Sequence, residues 1–166
     1  FLPLFIIPFL FYLLLGSISD DLECILFYSG LIISFIGEGI RIFTVAYAPP
    51  GTSGRNTKQQ LANTLNTTGI YSLLRHPLYL GNFFMFLGPF IFAGNIYGIG
   101  IFILIFWLYY ERIMYAEEAF LIHKFENEYS EWASDTPAFI PKISAYLPAN
   151  SKFSFQNVIE REYSGL

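Results

Sequence analysis

Polar side chains with chemistry to offer are scarce in this 166-residue chain, and they gather in two short stretches. The first runs from Gly69 to Gly81 and reads Gly-Ile-Tyr-Ser-Leu-Leu-Arg-His-Pro-Leu-Tyr-Leu-Gly, interrupting a long apolar segment. His76 precedes a proline, which drives its backbone toward extended conformations. Pro77 suits the first position of a helix, where a missing N–H costs nothing. The spacing therefore predicts a helix beginning at Pro77, whose free N–H groups, with Arg75 beside them, can receive a carboxylate or a phosphate. Tyr79 adds a hydroxyl and Gly81 leaves room for a close approach. The second stretch is the acidic couplet Glu117-Glu118. An anion-receptive helix start and a carboxylate pair together suit a zwitterion. On charge alone, S-adenosylmethionine and a phospholipid headgroup fit equally.

The elements that must position these residues are apolar helices. Hydrophobic residues make up 54% of the chain, aromatic residues 20% and charged residues only 13%, a composition suited to a bilayer and not to water. A formal net charge of −4, with nine basic residues and no dense patch among them, sets nucleic-acid binding aside. One cysteine, Cys24, excludes an internal disulfide and a Cys-rich zinc site, and no metal is expected.

Phe1 to Ile18 predicts a first membrane span, since no basic n-region or small-residue cleavage site marks it as a signal peptide. Leu22 to Ala48 predicts a second, with Gly30 and Gly37 as helix-contact positions. Glu38 and Arg41, three apart near its end, can pair on one face. The Pro- and Gly-punctuated stretch up to Thr68 reads as a polar loop placed to act as a lid. Pro77 to Ala93 predicts a third span, Gly94-Asn95 a tight turn, and Ile96 to about Ile113 a fourth, with Gly81 and Gly88 again suited to close packing. Beyond Tyr109 helical period continues out of the membrane. Leu121, Phe125, Tyr129 and Trp132 fall on one stripe, as in a helix lying at the interface or packed on the bundle. After Thr136 the tail reads as irregular surface structure.

The expected fold is all-α: an integral membrane bundle of about four transmembrane helices with a cytoplasmic-side interfacial C-terminal helix. It divides into an N-terminal hairpin over 1–48, a cytoplasmic loop over 49–76, and a helical hairpin with interfacial helix and tail over 77–166. All nine basic residues lie between Arg41 and Arg75 or from Arg112 onward, which places both termini and both polar stretches in the cytoplasm.

Gly69-x5-Arg75-His76-Pro77-x-Tyr79-x-Gly81, then about thirty-five residues holding a tight helical hairpin, then Glu117-Glu118-x2-Leu121-x3-Phe125-x3-Tyr129 and Ile140-Pro141, resembles the isoprenylcysteine carboxyl methyltransferase and phospholipid methyltransferase group of integral membrane enzymes. The resemblance implies S-adenosylmethionine as cofactor and a lipid or lipid-linked substrate entering from the bilayer. Carried over position by position, it places His76, Tyr79 and Glu118 in the cofactor pocket, with Arg75 and Glu117 holding the motif or contacting the cofactor. Where the family has Phe-Gly this chain has Phe125-Glu126, a departure that bears on the local backbone.

An anionic oxygen acceptor needs no general base but does need a cation to steer it, and Arg112 or Arg41 is the candidate. An amine acceptor must lose a proton, for which Glu38 or Glu111 stands nearest. No dedicated His or Asp base adjoins the motif, which favours an oxygen, either an isoprenylcysteine-type carboxylate or a lipid phosphate such as that of lipid A. The competing readings are a phospholipid amine N-methyltransferase, a non-catalytic scaffold, and an NADPH-dependent sterol-type reductase. The reductases carry a similar Arg-His-Pro-x-Tyr-x-Gly stretch but need about twice as many spans.

Overall fold

A computed structural model describes residues 20–48 and 64–163. The expected first span over 1–18 and most of the expected lid, 49–63, lie outside the described residues. Four α-helices follow one another: α1 (Asp20–Ala46), α2 (Pro77–Phe92), α3 (Ile96–Asp135) and α4 (Phe155–Tyr163), with single 3-10 turns at Ile70–Ser72 and Ile143–Ala145. Pro77 opens α2 as the sequence predicts. Gly94 takes a φ of 65° in the turn that follows, and the Asn95 side chain caps α3 by accepting the Gly98 N–H at 2.9 Å.

At about 1.5 Å of rise per residue, the 40 residues of α3 are about twice what a bilayer's hydrocarbon thickness requires. Its charges begin at Glu111, so the first half is apolar enough to span and the second half is not. Both α1 and α3 are long and apolar enough to cross a membrane, whereas α2, at 16 residues, is shorter.

The described residues fall into two compact units, one of residues 20–39 and 80–111, the other of 40–48, 64–79 and 112–163. In the first unit, α1 meets α2 through glycines. A Cβ added to Gly30 would stand 2.5 Å from the Gly88 carbonyl oxygen, and one added to Gly37 would stand 2.5 Å from that of Gly81. The Ser34 hydroxyl reaches across to donate to the Met85 carbonyl at 3.1 Å. Aromatic rings join α2 to α3, with Phe90 and Phe102 centroids 4.7 Å apart and Phe83 and Phe106 5.1 Å apart. Outward faces are apolar: Phe35 is 67% exposed and Leu104 60%. Such surfaces are stable against lipid and not against water.

In the second unit the tail is more than irregular surface. Its backbone straps the segment that carries the Arg-His motif, through Gly69 N–H to Leu147 O at 2.9 Å, Arg75 N–H to Pro137 O at 2.9 Å, His76 N–H to Ala138 O at 3.1 Å and Lys142 N–H to Leu73 O at 2.9 Å. The buried Ser72 hydroxyl donates to Gly69 O and accepts from Leu147 N–H, locking the same corner. Further along, Ser154 N–H donates to Ala46 O at 3.0 Å, and the Tyr47 and Phe153 rings meet edge to face.

The predicted stripe on α3 faces inward: Tyr129 is 1% exposed, and Leu121, Phe125 and Trp132 are partly covered. Midway along that stripe Glu126 takes φ 46° and ψ −113°, which breaks the helix direction. This conformation is the one glycine adopts freely and an L side chain resists. The Phe125-Glu126 departure thus sits on a true backbone distortion.

Candidate functional site

One helix start and one helix middle build the site within the second unit. Arg75 and His76 are held by the strap immediately before α2, and Tyr79 sits in the first turn of that helix. Glu117 and Glu118 come from the part of α3 beyond its spanning half. His76 is 4% exposed, and its Nε2 donates to Glu118 Oε1 at 2.8 Å. A carboxylate oxygen accepts, so the hydrogen belongs on Nε2. The other ring nitrogen, Nδ1, lies 3.6 Å from Glu117 Oε2. The Tyr79 hydroxyl donates to that same Oε2 at 2.8 Å, and its ring stacks on the imidazole with centroids 5.5 Å apart. Arg75 Nε completes the group at 3.3 Å from Glu118 Oε1, close enough for attraction but not aligned as a hydrogen bond.

These contacts use one oxygen of each carboxylate, Glu117 Oε2 and Glu118 Oε1. Among the described residues Glu117 Oε1 and Glu118 Oε2 have no partner. Burial would raise the Glu117 carboxyl, but its hydrogen bond and attraction to His76, with the Tyr79 hydroxyl, more than reverse this and hold it below the ordinary carboxylate range. Arg75 set against two carboxylates leaves negative charge uncompensated. The arrangement therefore suits a ligand carrying at least one positive group.

Arg75, His76, Tyr79, Glu117 and Glu118 are thus brought together. Gly81 lies elsewhere, buried in the α1–α2 contact of the first unit. Glu38 belongs to that unit as well, while Arg41 and Arg112 belong to the second; Glu38 and Arg41 are both engaged in contacts, and Arg112 is exposed on α3. Sequence reasoning gave no binding role to Tyr129 and Trp132: Tyr129 entered as a position of the second motif and of an apolar stripe, Trp132 as part of the stripe alone. Their polar atoms, Tyr129 OH and Trp132 Nε1, are sealed from solvent, the first within reach of Arg75 and the second without a hydrogen-bond partner. A polar tip on each of two aromatics one turn apart was the available signal.

A phospholipid methyltransferase family model matches residues 27–128. The chain is 32% identical over 117 residues to protein-S-isoprenylcysteine O-methyltransferase of Saccharomyces cerevisiae, across 69% of this chain and 48% of that protein. The Schizosaccharomyces pombe protein of the same name is 33% identical over 87 residues, across 52% and 37%. The cobalt-zinc-cadmium resistance protein CzcN of Cupriavidus metallidurans is 40% identical over 84 residues, across 51% and 38%. Among solved structures, the eukaryotic intramembrane Ras methyltransferase ICMT superposes with a TM-score of 0.55 at 25% identity, covering 78% of this chain and 45% of that one. The chain spans less than half the length of these relatives. With the family's model covering more than half of the sequence, the helical membrane architecture shared with a solved relative, and the Arg-His and Glu-Glu stretches in contact, the chain belongs to the phospholipid methyltransferase family.

Proposed function

We propose that this chain carries the S-adenosylmethionine site of a membrane methyltransferase whose acceptor is an anionic oxygen on a lipid or lipid-linked group, an isoprenylcysteine-type carboxylate first. The observation that carries the reading is the joining of the two motifs across forty positions, with His76 Nε2 2.8 Å from Glu118 Oε1 and Tyr79 OH 2.8 Å from Glu117 Oε2. When bound, S-adenosylmethionine supplies an electrophilic methyl group on a sulfonium.

The donor set fits such a ligand. Glu117 Oε1 and Glu118 Oε2 are available to accept from its ammonium, and the surplus negative charge answers a molecule with two cationic groups and one carboxylate. His76 and Tyr79 contribute by orientation, since each fixes one carboxylate oxygen and so aims the other. Holding the pair at fixed separation removes rotational freedom before the ligand arrives, and alignment is the main contribution an enzyme makes to a displacement of this kind. Arg112 and Arg41 are the cations proposed to steer the acceptor, with Glu38 held for the amine alternative. The exposed apolar faces of α1 and α3 support a bilayer setting, and the basic-residue distribution supports a site on the cytoplasmic side.

The test uses the purified protein in lipid nanodiscs with a methyl-labelled donor, offered a prenylated cysteine in one arm and a total lipid extract in another. Base-labile label on the prenylcysteine supports the reading. Base-stable label on a phospholipid amine moves the acceptor to nitrogen, oxidation of NADPH in place of labelling points to a reductase, and no turnover with no ligand binding leaves a scaffold. Glu118→Gln and His76→Ala should each abolish calorimetric binding of S-adenosylhomocysteine in protein that remains folded. Unchanged affinity in both variants would refute the site assignment.

A further inference from the structure

Beyond the strap, the tail moors itself to the end of α1 within the second unit. Ser154 N–H donates to Ala46 O at 3.0 Å, and Asn157 Nδ2 donates to Ala48 O at 3.3 Å. The Ser151 hydroxyl donates to Tyr47 O, and the Phe153 ring meets that of Tyr47 edge to face at 5.6 Å. Ser154 also caps α4, its hydroxyl accepting the Asn157 N–H at 3.2 Å. The start of α4 is therefore fixed where α1 ends. The apolar run of α1 has 26 residues, more than the roughly 20 that suffice to cross, so a bilayer around it would reach its surface near that end.

The faces of α4 are arranged opposite to those of a helix in water, which turns its apolar stripe to the protein and its polar side chains out. Asn157 turns inward onto the Ala48 carbonyl. Phe155 and Ile159, four apart and so on one face, are instead 66% and 53% exposed, while Val158 at the edge of that stripe is buried. This open face has a ring-to-ring connection back to α1. The exposed Phe153 contacts Tyr47, and Tyr47 stacks on Phe43 with centroids 6.5 Å apart and planes 6° from parallel. Phe43 is itself 58% exposed. An occupant must cover Phe43, on a helix apolar enough to cross lipid, together with Phe155 on α4. A bilayer does both, since it already borders the first. The exposed Lys152 beside Phe153 adds a long apolar stem with a charged tip, the kind of side chain that reaches from acyl chains to headgroups.

We propose that α4 is a membrane-surface helix, lying in the interface of the bilayer that α1 crosses, with Phe155 and Ile159 inserted just beneath the headgroups and Phe43 and Phe153 continuing the same lipid contact. Among the described residues this gives the interfacial role to α4 and not to the outer half of α3, whose stripe faces the protein. The bilayer thereby holds the far end of the same tail that straps Arg75 and His76.

The test places a single tryptophan on this face. In a Trp107→Phe, Trp132→Phe background, Phe155→Trp and Ile159→Trp are made separately, with Glu128→Trp on the exposed outer half of α3 as the aqueous control. The full chain is reconstituted in phosphatidylcholine nanodiscs brominated either high on the acyl chain or near its end, and acrylamide is added from the water. Bromine high on the chain should quench both α4 reporters about twofold more strongly than bromine near the end, because an interfacial helix sits only about 5–10 Å into the headgroup boundary. Acrylamide should quench the control strongly and the α4 reporters weakly. Both reporters lie at exposed positions, so an unchanged unfolding midpoint is expected and checks the fold, and either reporter alone carries the result. Strong acrylamide quenching without lipid quenching would leave the face in water and overturn the proposal. Shielding from both quenchers would overturn it as well, since protein would then cover the face, from a second copy or from elsewhere in the chain.

Discussion

Glu117 and Glu118 are neighbours in the chain, yet His76 tells them apart, hydrogen-bonding Glu118 through Nε2 at 2.8 Å while its Nδ1 lies 3.6 Å from Glu117. For Glu117 this leaves a measurable trace. Its carboxyl is held below the ordinary 4.5 despite burial, so the folded chain binds that proton less readily than the unfolded chain does. The stability it contributes is present above the unfolded carboxyl range and is lost as pH falls through the lowered folded value. Thermal unfolding of ligand-free protein followed downward from pH 5 should show a falling limb, and Glu117→Gln should flatten it. The participants at this scale were legible in the sequence because Arg75-His76-Pro77 and Glu117-Glu118 are polar islands in apolar surroundings. Tyr129 and Trp132 were not, because an aromatic on an apolar stripe shows its bulk in sequence but not whether its polar tip has found a partner.

Helix contacts and a helix break carry the information at the scale of elements. Gly30 and Gly37 on α1 leave no space for a side chain against α2. Gly37→Ala should therefore cost about 1–3 kcal/mol, the range for forcing extra volume into a packed contact, read as a lowered unfolding midpoint in detergent. Glu126 is the opposite case, a side chain placed where glycine belongs. Glu126→Gly should stabilise the protein by about 1 kcal/mol, since it removes the strain of φ 46° at an exposed position, and the same thermal measurement detects it. Spacing disclosed the glycine contacts, the Pro77 start and the Gly94-Asn95 turn, all of which are local in sequence. The bond from Arg75 to Pro137 and the strap around it left no such mark, because backbone pairing between distant irregular segments imposes no period on either.

For the molecule as a whole, the two tryptophans report on two surroundings. Trp107 is 46% exposed on the apolar half of α3, where a bilayer would bring acyl chains against it, whereas Trp132 is partly covered in the second unit. In nanodiscs made with brominated acyl chains, a Trp132→Phe variant should lose most of its emission and a Trp107→Phe variant little of its own. Equal quenching of the two would contradict the lipid-facing assignment of α3. Removal of residues 137–166 should leave Trp107 quenching in place and eliminate binding of S-adenosylhomocysteine, because Arg75 and His76 lose the carbonyls that hold their backbone.

The Ser72 hydroxyl that meets Leu147, seventy-five positions later, also sets a timetable for biosynthesis. As the polypeptide leaves the ribosome, the helical spans are available for insertion well before the partner of Gly69 and Ser72 has been translated. A half-made copy can therefore be lodged in the bilayer while its ligand cluster is still unframed. Competence arrives only when translation has passed Leu147, so premature termination upstream of that residue yields an inserted but inert protein.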